Sequence, residues 1–196
     1  MNAYITQVLS ASARDFQDIV WPQISTTPLV NGGVIRPVEA VAEMNFKDDL
    51  DLLAGIDAWQ IQHSPTAMRG IASRVQWGGC HESFSIRTKL PSGSETEFQK
   101  RLRAIQNIDD GHLYPHLTIQ SYLNRREGQL LAAAAVKTKD LIENAKILVE
   151  NRDRLSYRPD FYGFITNGDG TEFLYMKWSY LLYKKVLAAT NIVRFS

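Results

Sequence analysis

The sequence predicts an α/β (α+β) fold, a mixed central sheet of about six or seven strands flanked by helices. Three observations predict it. Stretches of period-two alternation recur along the chain and end at turn signals. Segments with helical spacing lie before, between and after them. The 196 residues suit one domain spanning 1–196, long enough to bury a large core without disulfides or structural metals.

The elements follow in order. Residues 11–24 set Phe16, Ile19, Val20 and Ile24 on roughly one helical face, and Pro22 ends or kinks that helix. Thr26-Thr27-Pro28 and Asn31-Gly32-Gly33 mark residues 25–37 as a loop. A short helix over 38–44 carries Glu39 and Glu43 on neighbouring turns. An acidic stretch with Asp48, Asp49 and Asp51 leads into Gly55-Ile56-Asp57-Ala58-Trp59-Gln60-Ile61-Gln62, whose alternation reads as a strand. After a turn at 63–66, residues 69–77 form a second strand. It sets Ile71, Ser73, Val75 and Trp77 on one side and Ala72, Arg74 and Gln76 on the other. Gly78-Gly79 is a hairpin-like turn into a third strand over 83–90. These short connections predict an antiparallel meander.

Residues 95–107 read as a helix, with Phe98, Leu102 and Ile105 helically spaced and Lys100, Arg101 and Arg103 between them. Leu117 to Leu123 is a fourth strand. Residues 130–151 have two readings. The alanine run favours helix on propensity, whereas 130–136 also fits a buried strand followed by a helix from Lys139. The sequence Lys137-Thr138-Lys139-Asp140, a strand end and a helix cap, favours the second. Residues 161–166 and 172–178 flank Asn167-Gly168-Asp169-Gly170, the clearest hairpin in the chain. A short helix over 181–189 follows, and the 159–190 region packs on the rest.

The net charge of +1 supplies no global field toward nucleic acid or anionic lipid, so a nucleic-acid contact needs a local basic patch. The single cysteine, Cys80, suits a reducing compartment and reads as a turn residue. Residues 1–10 lack a basic start followed by an apolar run, and no apolar stretch is long enough to span a bilayer. The expected location is therefore cytoplasmic. No P-loop, dinucleotide-binding fingerprint or nucleophile elbow is present, which argues against those enzyme classes. His112 and His116 have zinc spacing for a helix, but Pro115 argues against a helix there. The tail interleaves Tyr175, Lys177, Trp178, Tyr180, Tyr183, Lys184 and Lys185, a pattern that stacks bases or more simply makes a core hairpin with a cationic outer face.

The constellation richest in chemistry is a carboxylate at a strand start followed by cations on later strands. Asp57 comes first, then Arg74 and Gln76, then Arg87 and Lys89. Divalent cations take hard oxygen ligands, which Asp57, Asp51 and Glu43 offer, while Arg74, Arg87 and Lys89 neutralise phosphate charge.

Gly55-Ile56-Asp57-Ala58 followed by Gly70-Ile71-Ala72-Ser73-Arg74-Val75-Gln76 resembles the core of the PD-(D/E)XK nuclease superfamily, which includes restriction endonucleases and Holliday-junction resolvases. The resemblance covers roughly residues 38–125. It implies a restriction-endonuclease-like mixed sheet flanked by helices and magnesium-dependent hydrolysis of DNA phosphodiesters. Asp57 matches the motif aspartate, and Glu43, or Glu39, the helix glutamate. The third motif departs from the pattern. With Arg74 in the lysine place, Ala72 stands at the acidic position; with Gln76 there, Arg74 does. Neither alignment keeps a second acid.

The resemblance therefore implies catalytic roles for Asp57, Arg74, Gln76 and Lys89, with Asp57, Glu43 and Asp51 as magnesium ligands. Arg87, Lys89 and Arg101 would contact nucleic acid. The expected partner is DNA, with a second copy of the chain or another protein as further candidates and no membrane. The alternative is a catalytically inactive relative that binds nucleic acid or a protein, in phage biology or defence.

Overall fold

The computed structural model describes residues 11–38, 55–154 and 158–195. Glu39, Glu43, Asp48, Asp49 and Asp51, and with them the helix expected over 38–44 beyond Val38, lie outside the described residues.

Residues 11–24 form the N-terminal helix α1, with a π-helical segment at Phe16–Val20. The other described helices of six residues or more are α2 (Glu97–Gln106), α3 (Thr138–Glu150) and α4 (Trp178–Tyr183). The strands are β1 (Val34–Pro37), β2 (Ala58–His63), β3 (Thr66–Trp77), β4 (Ser83–Lys89), β5 (Leu117–Leu123), β6 (Leu130–Lys137), β7 (Tyr162–Thr166), β8 (Glu172–Lys177) and β9 (Ile192–Arg194). Six strands form a mixed sheet in the order β1-β2-β3-β5-β6-β9, and three form a second sheet in the order β4-β8-β7. The fold is thus α+β with a mixed central sheet, as the sequence predicts.

The parallel pair is β3 with β5, and the other pairs are antiparallel. A parallel pair needs a crossover, which β4 and α2 provide. This corrects the expected meander. β2 and β3 form the hairpin, but β4 leaves for the second sheet and pairs with β8. Alternation reports which face of a strand is apolar and not which strand lies beside it. Phe84 and Ile86 of β4 satisfy their pattern among Leu174 and Met176 of β8, while β5 brings Leu117, Ile119 and Leu123 alongside Ile71 and Val75 of β3. The chain turns between sheets at Gly78 (φ 90°) and Glu82 (φ 45°).

The 130–151 segment is strand then helix. Ala132, Ala134 and Val136 face one core, and Ala133 and Ala135 face the other. A strand buried on both faces carries an unbroken apolar run, which explains why its periodicity is mute. Two short edge strands depart from expectation: β1 lies in the segment read as a loop, and β9 lies beyond the helix expected over 181–189, which the structure places at Trp178–Tyr183.

The central sheet has two unlike faces. On one, α1 places Phe16, Val20, Trp21 and Ile24 over β3, β5 and β6. Buried Asp15 ties this helix down by accepting from the Trp77 indole N–H at 2.7 Å and from the Glu127 backbone. On the other face, α3, α4 and the second sheet cover β6 and the end of β5. Over the middle of β3 and β5 this second cover is incomplete, and a cleft opens.

Candidate functional site: an arginine-lined cleft

Asp57 enters the cleft floor because backbone bonding extends the ladder beyond β2. Its N–H donates to Ile71 O at 2.8 Å, and its carbonyl accepts from Val38 N–H at 2.9 Å. Its carboxylate accepts from the Ser73 backbone N–H. Two residues earlier, Gly55 adopts φ +62°, and a Cβ built on it would lie 3.6 Å from Arg101 Nε. That separation is an ordinary contact, so it is the left-handed backbone conformation that calls for glycine here.

Register assembles the rest of the floor. Ala72 pairs with Thr118, and Arg74 with Gln120, across the parallel β3–β5 seam. All four line the cleft, which has a volume of about 530 Å³. One wall is β4 with Ser85 and Arg87; the other is the start of α2 with Glu97, Lys100 and Arg101.

The helix is aimed by its cap. Thr96 and Gln99 form a capping box at its N-terminus. This sets Glu97 in the first turn, where a carboxylate complements the helix dipole, and Arg101 one turn later. Arg101 Nη1 meets Glu97 Oε1 at 2.7 Å. Arg101 is only 6% exposed.

Each arginine is held differently. Arg74 donates to Ser85 Oγ at 2.7 Å. Arg74 and Arg87 both approach the Phe173 ring, at 5.6 and 5.5 Å from its centroid. The Nε–H groups of Arg87 and Arg101 are buried and have no hydrogen-bond partner among the described residues. Burial opposes ionisation of Glu97, but the nearby guanidiniums of Arg101, Arg74 and Arg87 and an Arg87 backbone N–H outweigh it. They hold its carboxyl below the ordinary glutamate range.

The structure therefore brings Asp57, Arg74, Arg87 and Arg101 into one cleft. Gln76 lines a second cavity instead, two residues farther along the same strand face, and Lys89 is exposed at the end of β4 outside the cleft lining. Of the two alignments of the third motif, Ala72 and Arg74 are the pair that share the cleft with Asp57. Glu97 and Lys100 are cleft residues that the sequence reading missed. The signals for them were the capping box and the Glu97–Arg101 spacing of four, a pairing distance on a helix.

Magnesium takes hard oxygen ligands in octahedral array. Among the described residues three carboxylates line the cleft: Asp57, Glu95 and Glu97. Glu95 pairs with Arg103 at 2.8 Å, Glu97 with Arg101, and Asp57 accepts from Ser73. Among the described residues no group of three His, Cys, Asp or Glu side chains is placed to hold a metal. The described donors do not by themselves fit a magnesium site, and Glu43 and Asp51 lie outside them.

Other sequence candidates have structural roles. His116 accepts from the Gly70 N–H through Nδ1 at 3.2 Å and stacks on Tyr114, with burial and the charge of Arg69 pushing its pKa down. Desolvation pushes the Cys80 thiol up, away from the thiolate a nucleophile needs. Among the described residues no helix is long and apolar enough to cross a membrane. Comparison of the chain with protein-family models, with curated proteins and with solved structures finds no match.

Proposed function

We propose that the chain binds DNA through its phosphodiester backbone, which enters the arginine-lined cleft. One observation carries this reading: Arg87 and Arg101, each with a buried Nε–H that has no hydrogen-bond partner among the described residues, line the same cleft. Buried polar groups normally have partners, and a guanidinium fork matches the oxygens of a phosphate. Arg74 and Lys100 add cationic charge beside them. A net charge near zero then fits a protein whose basic character is concentrated in one place.

Fluorescence anisotropy with labelled DNA tests it. Wild type binds at low salt, and the Arg87→Gln/Arg101→Gln double variant, folded by circular dichroism, loses that binding. Equal binding by both proteins removes the reading.

Hydrolysis is the second reading, favoured by the placement of Asp57 on the cleft floor beside Arg74 and by the resemblance of its strand to the PD-(D/E)XK core. Plasmid and branched DNA incubated with magnesium or manganese separate the two. Cleavage by wild type that disappears in Asp57→Ala supports a nuclease. Retention of DNA without cleavage by either protein leaves binding as the function.

A further inference from the structure

We propose that the Glu97 carboxylate stands in the cleft where a ligand phosphate binds, so that DNA displaces it from Arg101 and the complex takes up a proton on Glu97; this rests on the phosphodiester reading of the arginine cleft. The sequence places the pair. The capping box at Thr96 fixes the start of α2, and a spacing of four brings Glu97 and Arg101 together on one side of the helix. Arg101 Nη1 and Glu97 Oε1 lie 2.7 Å apart, and both residues line the cleft. The Arg101 side chain is buried, and that of Glu97 is partly exposed. An anion that enters from solvent and reaches this guanidinium therefore meets a carboxylate already on it.

Three elements act on that carboxylate. Arg101 comes from α2, Arg74 from β3, and Arg87, with its backbone N–H, from β4. Among the described residues the other ionisable side chains of the cleft lining are Asp57, Glu95 and Lys100, and no histidine lines it. Asp57 accepts from the Ser73 backbone N–H, a donor fixed in β3. Glu95 pairs with Arg103, which lies outside the lining.

A carboxylate and a phosphate compete because both accept from the same guanidinium fork. In the free protein the three arginines hold the Glu97 carboxyl ionised, below the ordinary glutamate range. A phosphate that takes Arg101 withdraws this support. It also sets a second negative charge beside a carboxyl whose burial already opposes ionisation. Both changes raise the Glu97 pKa in the complex. The complex then holds a proton that the free protein lacks, and affinity rises as pH falls. One bound proton limits that rise to about tenfold per pH unit.

Anisotropy with labelled oligo-dT and its duplex with oligo-dA, both without terminal phosphates, tests the exchange between about pH 8 and about pH 5 at constant ionic strength. Neither thymine nor a phosphodiester titrates in that range. Wild type is expected to bind at least about threefold more tightly at about pH 5 than at about pH 7. Glu97→Gln, folded by circular dichroism, is expected to bind more tightly than wild type at about pH 7 and to have a flatter profile. Equal pH profiles in the two proteins overturn the exchange and leave the cleft reading standing. Weaker binding by Glu97→Gln at every pH also overturns it, since Glu97 then only positions Arg101. Calorimetry of wild type in two buffers of unlike ionisation enthalpy counts the proton without the variant. Uptake at about pH 5.5 is expected, and binding with no uptake overturns the exchange. Failure of wild type to bind either form at any pH, even at low salt, removes the cleft reading and the exchange together.

Discussion

The two faces of the central sheet are made by alternate residues of the same strands, yet they have opposite characters. On the α1 side, Ile71, Val75, Ile119 and Leu123 are sealed beneath Phe16, Val20 and Ile24. On the other side, β3 and β5 present Arg74, Thr118 and Gln120 to a cleft walled by Arg87, Glu97 and Arg101. A sheet gains stability by burying apolar area, and the cleft face forgoes that gain while desolvating charge. Its charges are offset locally by the Glu97 carboxylate, the Ser85 hydroxyl and the Phe173 ring. The sealed face maintains the fold, and the charged face is the part of the sheet available for chemistry.

The contrast breaks most readily at the sealed face. Ile119→Ala empties a fully buried position and is expected to cost about 2–5 kcal/mol in urea denaturation. The cleft face responds in binding. Arg87→Gln removes a charged donor and is expected to weaken DNA affinity by about 1.5–3 kcal/mol in anisotropy titrations.

Glu97→Gln sharpens the comparison through pH. The folded-state pKa of Glu97 is depressed, so its stabilisation is present above the unfolded-state value and is lost as pH falls through the folded one. Melting temperatures of wild type should therefore fall below about pH 4, with a shallower fall for Glu97→Gln. The side chain is 26% exposed, so solvent screens the effect and it is smaller than that of Ile119→Ala. Removing this anion from among the arginines should also tighten DNA binding. Lys89→Ala stands last. The residue is exposed and outside the cleft lining, and a stability change within about 0.5 kcal/mol is expected by denaturation.

Much of this was legible in the sequence, for identifiable reasons. The strand of Asp57 and the hairpin around Asn167-Gly168 follow from alternation bounded by turn residues. The strand-then-helix reading of 130–151 followed from the polar cap after an apolar run. The partner of β4 was not legible, because Phe84 and Ile86 fit a core in either sheet. The separation of Gln76 from Arg74 was hidden for the same reason. Both lie on one strand face, but where the second sheet crosses that face divides it into two cavities. Glu97 was missed because a first-turn glutamate reads as a helix cap, and its proximity to Arg74 and Arg87 depends on tertiary packing.

The salt dependence of DNA binding tests the central claim most directly. Each phosphate neutralised adds about 0.7 to the magnitude of the slope of log affinity against log salt on single strands, and about 0.9 on duplex. Phosphate held by the cleft arginines predicts a steep negative slope for wild type and one shallower by about one such increment for Arg87→Gln. A slope identical in the two proteins, or no binding by wild type even at low salt, would contradict the account.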